Sequence, residues 1–219
     1  MTRWQMWKEL RAAMKDPARA GDVAAYKGAL SGARARPAVE EQLDAVRDTY
    51  PVTDLDALVK LDDGTFGREF ARFMEANGLN VIAPSDEVPT EVLRSAAFTV
   101  RYAAVHDMIH VLTGFDASWP GEVGVWAFVG GQNYSFGFRV AAVVALLFTP
   151  FRSPLRLRSA WRNFRAGWAM GRRARTLVAQ QLETRFEHGL EDVRAELRVV
   201  GAGDGYVPRA LQPAAATSQ

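Results

Sequence analysis

The chain of 219 residues contains no cysteine. Disulfides, thiolate zinc sites, iron–sulfur clusters and cysteine nucleophiles are therefore excluded. The absence fits a reducing compartment. Histidine is scarce too: His106, His110 and His188 are the whole supply. Serine-triad chemistry needs a histidine base beside its nucleophile. The only histidine to spare is His188, which sits in a charged stretch where solvent exposure is expected. Long apolar runs are missing as well. The longest lies between Arg139 and Arg152, centred on Val140 to Phe148, whereas a membrane-spanning helix needs roughly 20 residues. A buried helix or an interfacial segment is expected there. Met1 to Leu10 carries Trp, Lys and Glu in place of an apolar stretch with a small-residue cleavage site, so no signal peptide is expected. Internal repeats are absent, and alternating period-2 hydrophobicity is almost absent. The net charge of +2 identifies no partner by itself.

What is present reads as helices. The size allows one domain or a tightly joined pair of subdomains. The expectation is an all-α, single-domain multi-helix bundle over residues 1–200, followed by a disordered Gly-, Ala- and Pro-rich tail over 201–219. Residues 2–15 form an amphipathic pattern with Trp4, Trp7, Leu10 and Met14 on one side. A short helix around 22–30 breaks at Ser31-Gly32. Pro37 begins another that runs to about Tyr50, where Pro51 stops it. Asp54 and Thr65 are good N-caps, and Gly78 suits a C-cap. Phe66, Phe70, Phe73 and Met74 repeat at helical spacing and read as core. One long helix is expected from Pro89 to about Leu112, ended by Gly114. Glu122 opens another, interrupted at Gly130-Gly131, and the apolar run resumes it until Thr149-Pro150. Further helix is expected over 176–198.

Residues 152–175 carry Arg152, Arg156, Arg158, Arg162, Arg165, Arg172, Arg173 and Arg175 with no Asp, Glu or Lys. Leu157, Trp161, Phe164 and Trp168 repeat there at helical spacing. An Arg-rich side with an aromatic stripe suits a membrane surface or a phosphate-bearing ligand. The plain alternative is an amphipathic helix with its aromatics inside and its arginines in water. Nucleic acid is not expected as a partner, because no recognised binding motif accompanies the charge.

The candidate site is His106-Asp107-Met108-Ile109-His110, answered by Glu122 beyond Pro120-Gly121. The four-residue spacing stacks both imidazoles on one helix face. Asp107 lies about 100° around the helix from His106, so it can ligate or hold a water as a base. Two imidazoles with carboxylates make a cage for a divalent metal. Three enzyme classes compete for these residues. A zinc hydrolase would want His-Glu-x-x-His, and Asp107 is one methylene shorter than that Glu. An HD-type phosphohydrolase would want a further histidine upstream, and none precedes His106. A redox enzyme is allowed, since two histidines and a carboxylate resemble the facial triad of non-haem iron.

His106-Asp107-x-x-His110 with Glu122 eleven residues further on resembles the signature of the fourth coenzyme Q (ubiquinone) biosynthesis protein family. Val111-Leu112-Thr113-Gly114-Phe115 and Gly121-Glu122 agree with it, as do Gly64-Thr65-Phe66-Gly67-Arg68-Glu69-Phe70 and Phe73-Met74. Arg185-Phe186-Glu187 through Arg194-Ala195-Glu196-Leu197 is similar to the family's closing helix, with Phe186 standing where the family has tryptophan. The resemblance covers roughly residues 5–200 and implies a helical protein. His106, Asp107, His110 and Glu122 would hold a divalent metal, zinc first, with iron or manganese as alternatives. Asp107 and Glu122 would also be the catalytic pair. The implied activity is removal of the C1 carboxylate of a polyprenylated 4-hydroxybenzoate, coupled to hydroxylation at that carbon. Implied partners are a prenylated quinone precursor or other isoprenoid lipid, a membrane surface and other quinone-biosynthesis enzymes. A cytoplasmic location peripheral to the inner face of the membrane would follow, and surface aromatics would suit a homodimer. The Phe66–Phe73 and Val140–Phe148 segments would offer a groove for the prenyl tail, unless both are plain core. A lipid-presenting scaffold with a structural metal, or a zinc hydrolase, would fit the same residues without that activity.

Overall fold

Thr2 starts the first helix with a reciprocal cap: its hydroxyl accepts from the Gln5 N–H at 3.2 Å, and the Gln5 side chain accepts from the Thr2 N–H at 2.8 Å. The computed structural model describes residues 1–46 and 53–199. Among the described residues the architecture is helical, and the one β feature is an isolated antiparallel bridge between Thr65 and Gly189. The all-α expectation therefore holds. The expected tail over 201–219 lies outside the described residues, as do Tyr50 and Pro51, but the helix expected to reach about Tyr50 already ends at Leu43.

Helix α1 spans Arg3–Ala13 and packs on α2, Ala20–Ser31, which Gly32 closes in the left-handed region at φ 63°. Trp4 and Trp7 of α1 and its C-cap Met14 face outward; Trp4 and Trp7 stack at 5.3 Å, with Lys8 and Arg11 over their rings. Helix α3, Pro37–Leu43, begins at the expected proline. Helix α4, Leu55–Leu58, is capped by Asp54, which accepts from the Asp56 and Ala57 N–H groups at 3.0 and 3.2 Å. Helix α5, Phe66–Asn77, runs from its Thr65 cap to Gly78 at φ 60°.

The long helix expected from Pro89 to Leu112 is two helices, α6, Thr90–Ser95, and α7, Ala97–Thr113, with the break at Ala96 (φ −110°, ψ 12°). No proline or glycine marks that break. It falls where α2 crosses closest: a Cβ on Gly28 would come within 1.8 Å of Thr99 Oγ1 and 3.0 Å of Ala96 Cβ. Helix α8, Trp119–Gln132, passes straight through Gly130-Gly131, contrary to the sequence reading, and turns at Asn133 (φ 56°). The two glycines make room for a neighbour, since a Cβ on Gly131 would lie 2.5 Å from the Trp168 carbonyl oxygen. Helix α9, Phe136–Arg152, likewise continues past Thr149-Pro150, and the chain leaves it at Ser153. Helix α10, Leu157–Gly171, packs most closely on α8. Of the further helix expected over 176–198, the α-helical part is confined to the C-terminal end. Two short 3-10 turns, Leu177–Ala179 and Leu182–Arg185, precede α11, Leu190–Leu197.

The core centres on α7, whose Val105, Met108, Ile109, Val111 and Leu112 are buried against α5, α8 and α11 residues such as Phe70, Val125, Phe128 and Val193. The Phe66–Phe73 face belongs to this core and is no groove. The outer face of α9 is the opposite case. Leu147 is 67% exposed, Phe151 81% and Leu155 just beyond it 99%, and the arginines of α10 stand nearby in water. That face is exposed, so of the two sequence readings a wholly buried helix is not what forms. Among the described residues no helix is long and apolar enough to cross a membrane.

Candidate metal centre

Helix α7 places His106 and His110 one turn apart, ring centroids 5.0 Å from each other. The helix ends at Gly114 in the left-handed region (φ 76°), which folds Phe115 back beneath it. The Phe115 carbonyl lies 3.0 Å from His110 Nδ1. A carbonyl only accepts, so Nδ1 carries the proton and Nε2 turns its lone pair outward. Phe73 of α5 stacks on the same ring at 5.2 Å and 22°. His106 is steadied from two sides: Asp107 Oδ1 lies 3.1 Å from its Nδ1, and the Tyr102 ring stands edge-on at 5.7 Å.

Glu122 arrives from the first turn of α8, where its N–H donates to the Ser118 carbonyl at 2.8 Å. The loop is built around Asp116, whose Oδ1 accepts from both the N–H and the hydroxyl of Ser118. Gly121 permits this, because a Cβ there would sit 1.8 Å from the Asp116 carbonyl oxygen. Asn163 of α10 donates to the Pro120 carbonyl at 2.9 Å and ties down the same turn. Glu122 Oε1 then lies 3.3 Å from His110 Nε2, and Oε2 lies 3.7 Å from His106 Nε2. His106, Asp107 and His110 can each offer a ligand atom within 4.8 Å of the others. The sequence-based set of His106, Asp107, His110 and Glu122 thus stands together, while exposed His188 is elsewhere and lends its carbonyl to the Phe66 N–H at 2.8 Å.

The electrostatics suit a cation. Burial of His110 opposes its protonation, but the hydrogen bond and charge of Glu122, the Phe115 carbonyl and Asp107 outweigh it, and the pKa is raised above the ordinary value. Burial pushes the Tyr102 phenol strongly upward, with Tyr134 and the charges of Glu122 and Asp107 adding to it. The donors fit a divalent metal. Two imidazoles can present Nε2, one of them oriented by a carbonyl on its other nitrogen, and carboxylates lie alongside. Such a group can hold a metal; its chemistry does not select among zinc, iron and manganese.

Sequence reasoning missed several supports. Arg194 of α11 is buried, and its guanidinium donates from Nε to the Leu112 carbonyl and from Nη2 to the Val111 carbonyl, both at 2.8 Å. It thereby occupies the last carbonyls of the helix that carries the histidines. Glu191 holds its Nη1 at 2.6 Å. The i, i+3 spacing of Glu191 and Arg194 was visible, but the acceptor lies about eighty positions away. Phe186, where tryptophan was expected, packs on Phe66 and Phe70 at 5.5 and 5.8 Å.

Residues 12–202 match the model of the family described as "Coenzyme Q (ubiquinone) biosynthesis protein Coq4". The mitochondrial ubiquinone biosynthesis protein COQ4 homolog of Rattus norvegicus is 34% identical over 160 residues, 70% of this chain and 57% of that one. The mitochondrial ubiquinone biosynthesis protein COQ4 of Eremothecium gossypii is 31% identical over 179 residues, 78% of this chain and 51% of that one. The chain spans about half the length of such relatives. A crystal structure from Nostoc punctiforme, of a protein provisionally assigned to ubiquinone biosynthesis, shares the fold. It has a TM-score of 0.62 and 20% identity, and covers 90% of this chain and 96% of that one.

Proposed function

Because the chain belongs to the Coq4 family of coenzyme Q biosynthesis proteins, we propose that it serves ubiquinone-type quinone assembly as a metal-dependent decarboxylase of a prenylated 4-hydroxybenzoate. The observation that carries the reading is the approach of Glu122 to both imidazole Nε2 atoms, at 3.3 and 3.7 Å, beside Asp107. His106, His110, Asp107 and Glu122 would hold the metal. When bound, it supplies a positive charge that draws in the ring carboxylate and, if redox-active, a route for oxygen chemistry at C1. The protein's own part is positional. Phe73 and Phe115 fix His110, and Asp107 fixes His106, so the two ligand lone pairs converge without rearrangement. Glu122, half-buried in the first turn of α8, is the carboxylate that would yield a position to substrate. The outer face of α9, with the α10 arginines beside it, is the side that meets the lipid surface and the prenyl tail. Quinone-biosynthesis enzymes would be the protein partners.

A second reading, a lipid-presenting scaffold with a structural metal, draws on the same exposed α9 face. Elemental analysis separates the outcomes. The purified protein is expected to carry about one zinc, iron or manganese per chain, and an Asp107→Ala/His110→Ala double variant is expected to lose it. With a prenylated 4-hydroxybenzoate and oxygen supplied, the wild type should release carbon dioxide and His110→Ala should not, while staying folded. A variant that melts far lower together with an inactive wild type would select the scaffold. No metal in either protein would sink both readings.

A further inference from the structure

Tyr102 lies on α7 one turn ahead of His106, on the face that carries the histidines. Its ring meets the His106 edge and packs against Phe138 at 4.6 Å and Tyr134 at 6.5 Å. Its hydroxyl is buried, and among the described residues no group donates to it or accepts from it. The neighbouring phenol shows how this fold treats such a group when it is structural: Tyr134 donates to Gln132 Oε1 at 2.9 Å and accepts from the Val178 N–H at 3.1 Å. A buried hydroxyl left without a protein partner beside a cluster of candidate ligands is placed to serve something that binds there.

We propose that the Tyr102 hydroxyl donates a hydrogen bond to a carboxylate oxygen of an aromatic acid held at the His106–His110–Glu122 centre. The inference rests on the reading above and names the group that recognises the acid. A carboxylate bound to a metal through one oxygen presents a second oxygen close by, which seeks a donor. Asp107 and Glu122, as carboxylates, repel that oxygen, whereas a neutral phenol attracts it. A phenolate oxygen at the metal has no such second atom. Tyr102 and its aromatic neighbours also offer a flat apolar wall to the ring.

The test uses zinc-loaded protein and calorimetric titration with two probes, 3-geranyl-4-hydroxybenzoate and 2-geranylphenol, the latter lacking the carboxylate. In Tyr102→Phe the acid should bind about ten- to a hundredfold more weakly, as expected for loss of a charge-assisted hydrogen bond. The phenol should bind unchanged, and zinc content and melting temperature should stay level. Equal weakening of both probes, or of neither, would overturn the proposal. So would a variant that drops its zinc or melts much lower, since the hydroxyl would then be structural. If zinc-loaded wild type bound neither probe, the functional reading itself would fall; if both proteins bound the acid equally, only the role of Tyr102 would.

Discussion

His110 is held by contacts from four directions: the Phe115 carbonyl on Nδ1, the Phe73 ring on its face, Glu122 at Nε2 and the α7 backbone below. The ring is therefore aimed before any metal arrives. The same precision extends to the helix end beneath it. Arg194→Met would keep bulk but leave the Val111 and Leu112 carbonyls without their buried donor. Such a change should cost about 2–3 kcal/mol, visible as a lower urea midpoint, and should weaken metal retention although no ligand is altered. Gly121→Ala forces the Asp116 carbonyl away from its present place. Metal content should fall with it while helicity by circular dichroism stays near wild type, because only the Glu122 turn is displaced. At this scale the convergence of the candidate ligands was legible in the sequence, since spacing on a helix fixes the direction of His106 and His110. Arg194 and Tyr102 were not, because their significance depends on groups brought in by the fold.

The pair α8–α10 is fastened by glycine rather than by interlocking side chains. A Cβ on Gly167 would lie 2.1 Å from the Gly124 carbonyl oxygen, and one on Gly171 would lie 2.1 Å from that of Phe128. Backbone against backbone leaves nothing flexible to yield. Gly167→Ala should therefore destabilise by about 1–3 kcal/mol. Gly137→Ala in α9 meets only Ser135 Oγ at 3.7 Å and should be neutral or stabilise by about 0.5 kcal/mol through helix propensity. Thermal melts of the two variants, compared side by side, check the contrast. This packing also explains which helix boundaries could be read. Caps at Thr2, Asp54 and Thr65 and stops at Gly78 and Gly114 act through neighbours in sequence, so local rules find all but the first, which the sequence reading did not single out. Gly130-Gly131 looked like an interruption because glycine weakens a helix locally; here it admits α10. The break at Ala96 and the 3-10 turns before α11 answer to tertiary contacts and leave no local mark.

Across the whole molecule, polar chemistry and apolar exposure are segregated. The candidate ligand cluster lies at the meeting of α7 and α8, and the bare apolar face runs along α9 and the start of α10. Leu147→Glu/Phe151→Glu should abolish sedimentation with anionic liposomes at low salt while leaving the melting temperature within a degree or two, since both side chains already face water. Retained sedimentation would move the lipid-facing side elsewhere, with the outward tryptophans of α1 as the next place to look. The sequence reading left the apolar run undecided between core and interface because a helix apolar over most of its circumference has no periodicity to choose a side.

Arg194 also dictates a schedule. The histidine helix and its carboxylate are all translated by residue 122, yet the last carbonyls of that helix wait for a guanidinium some seventy positions further on. A ribosome adds about 5–20 residues per second, so for several seconds every candidate ligand exists on the nascent chain while their platform is unfinished. Capture of a metal by this cluster is thus expected only once residue 194 has been added, and a stop codon placed between 122 and 194 should yield a polypeptide that encodes all four candidate ligands and retains no metal.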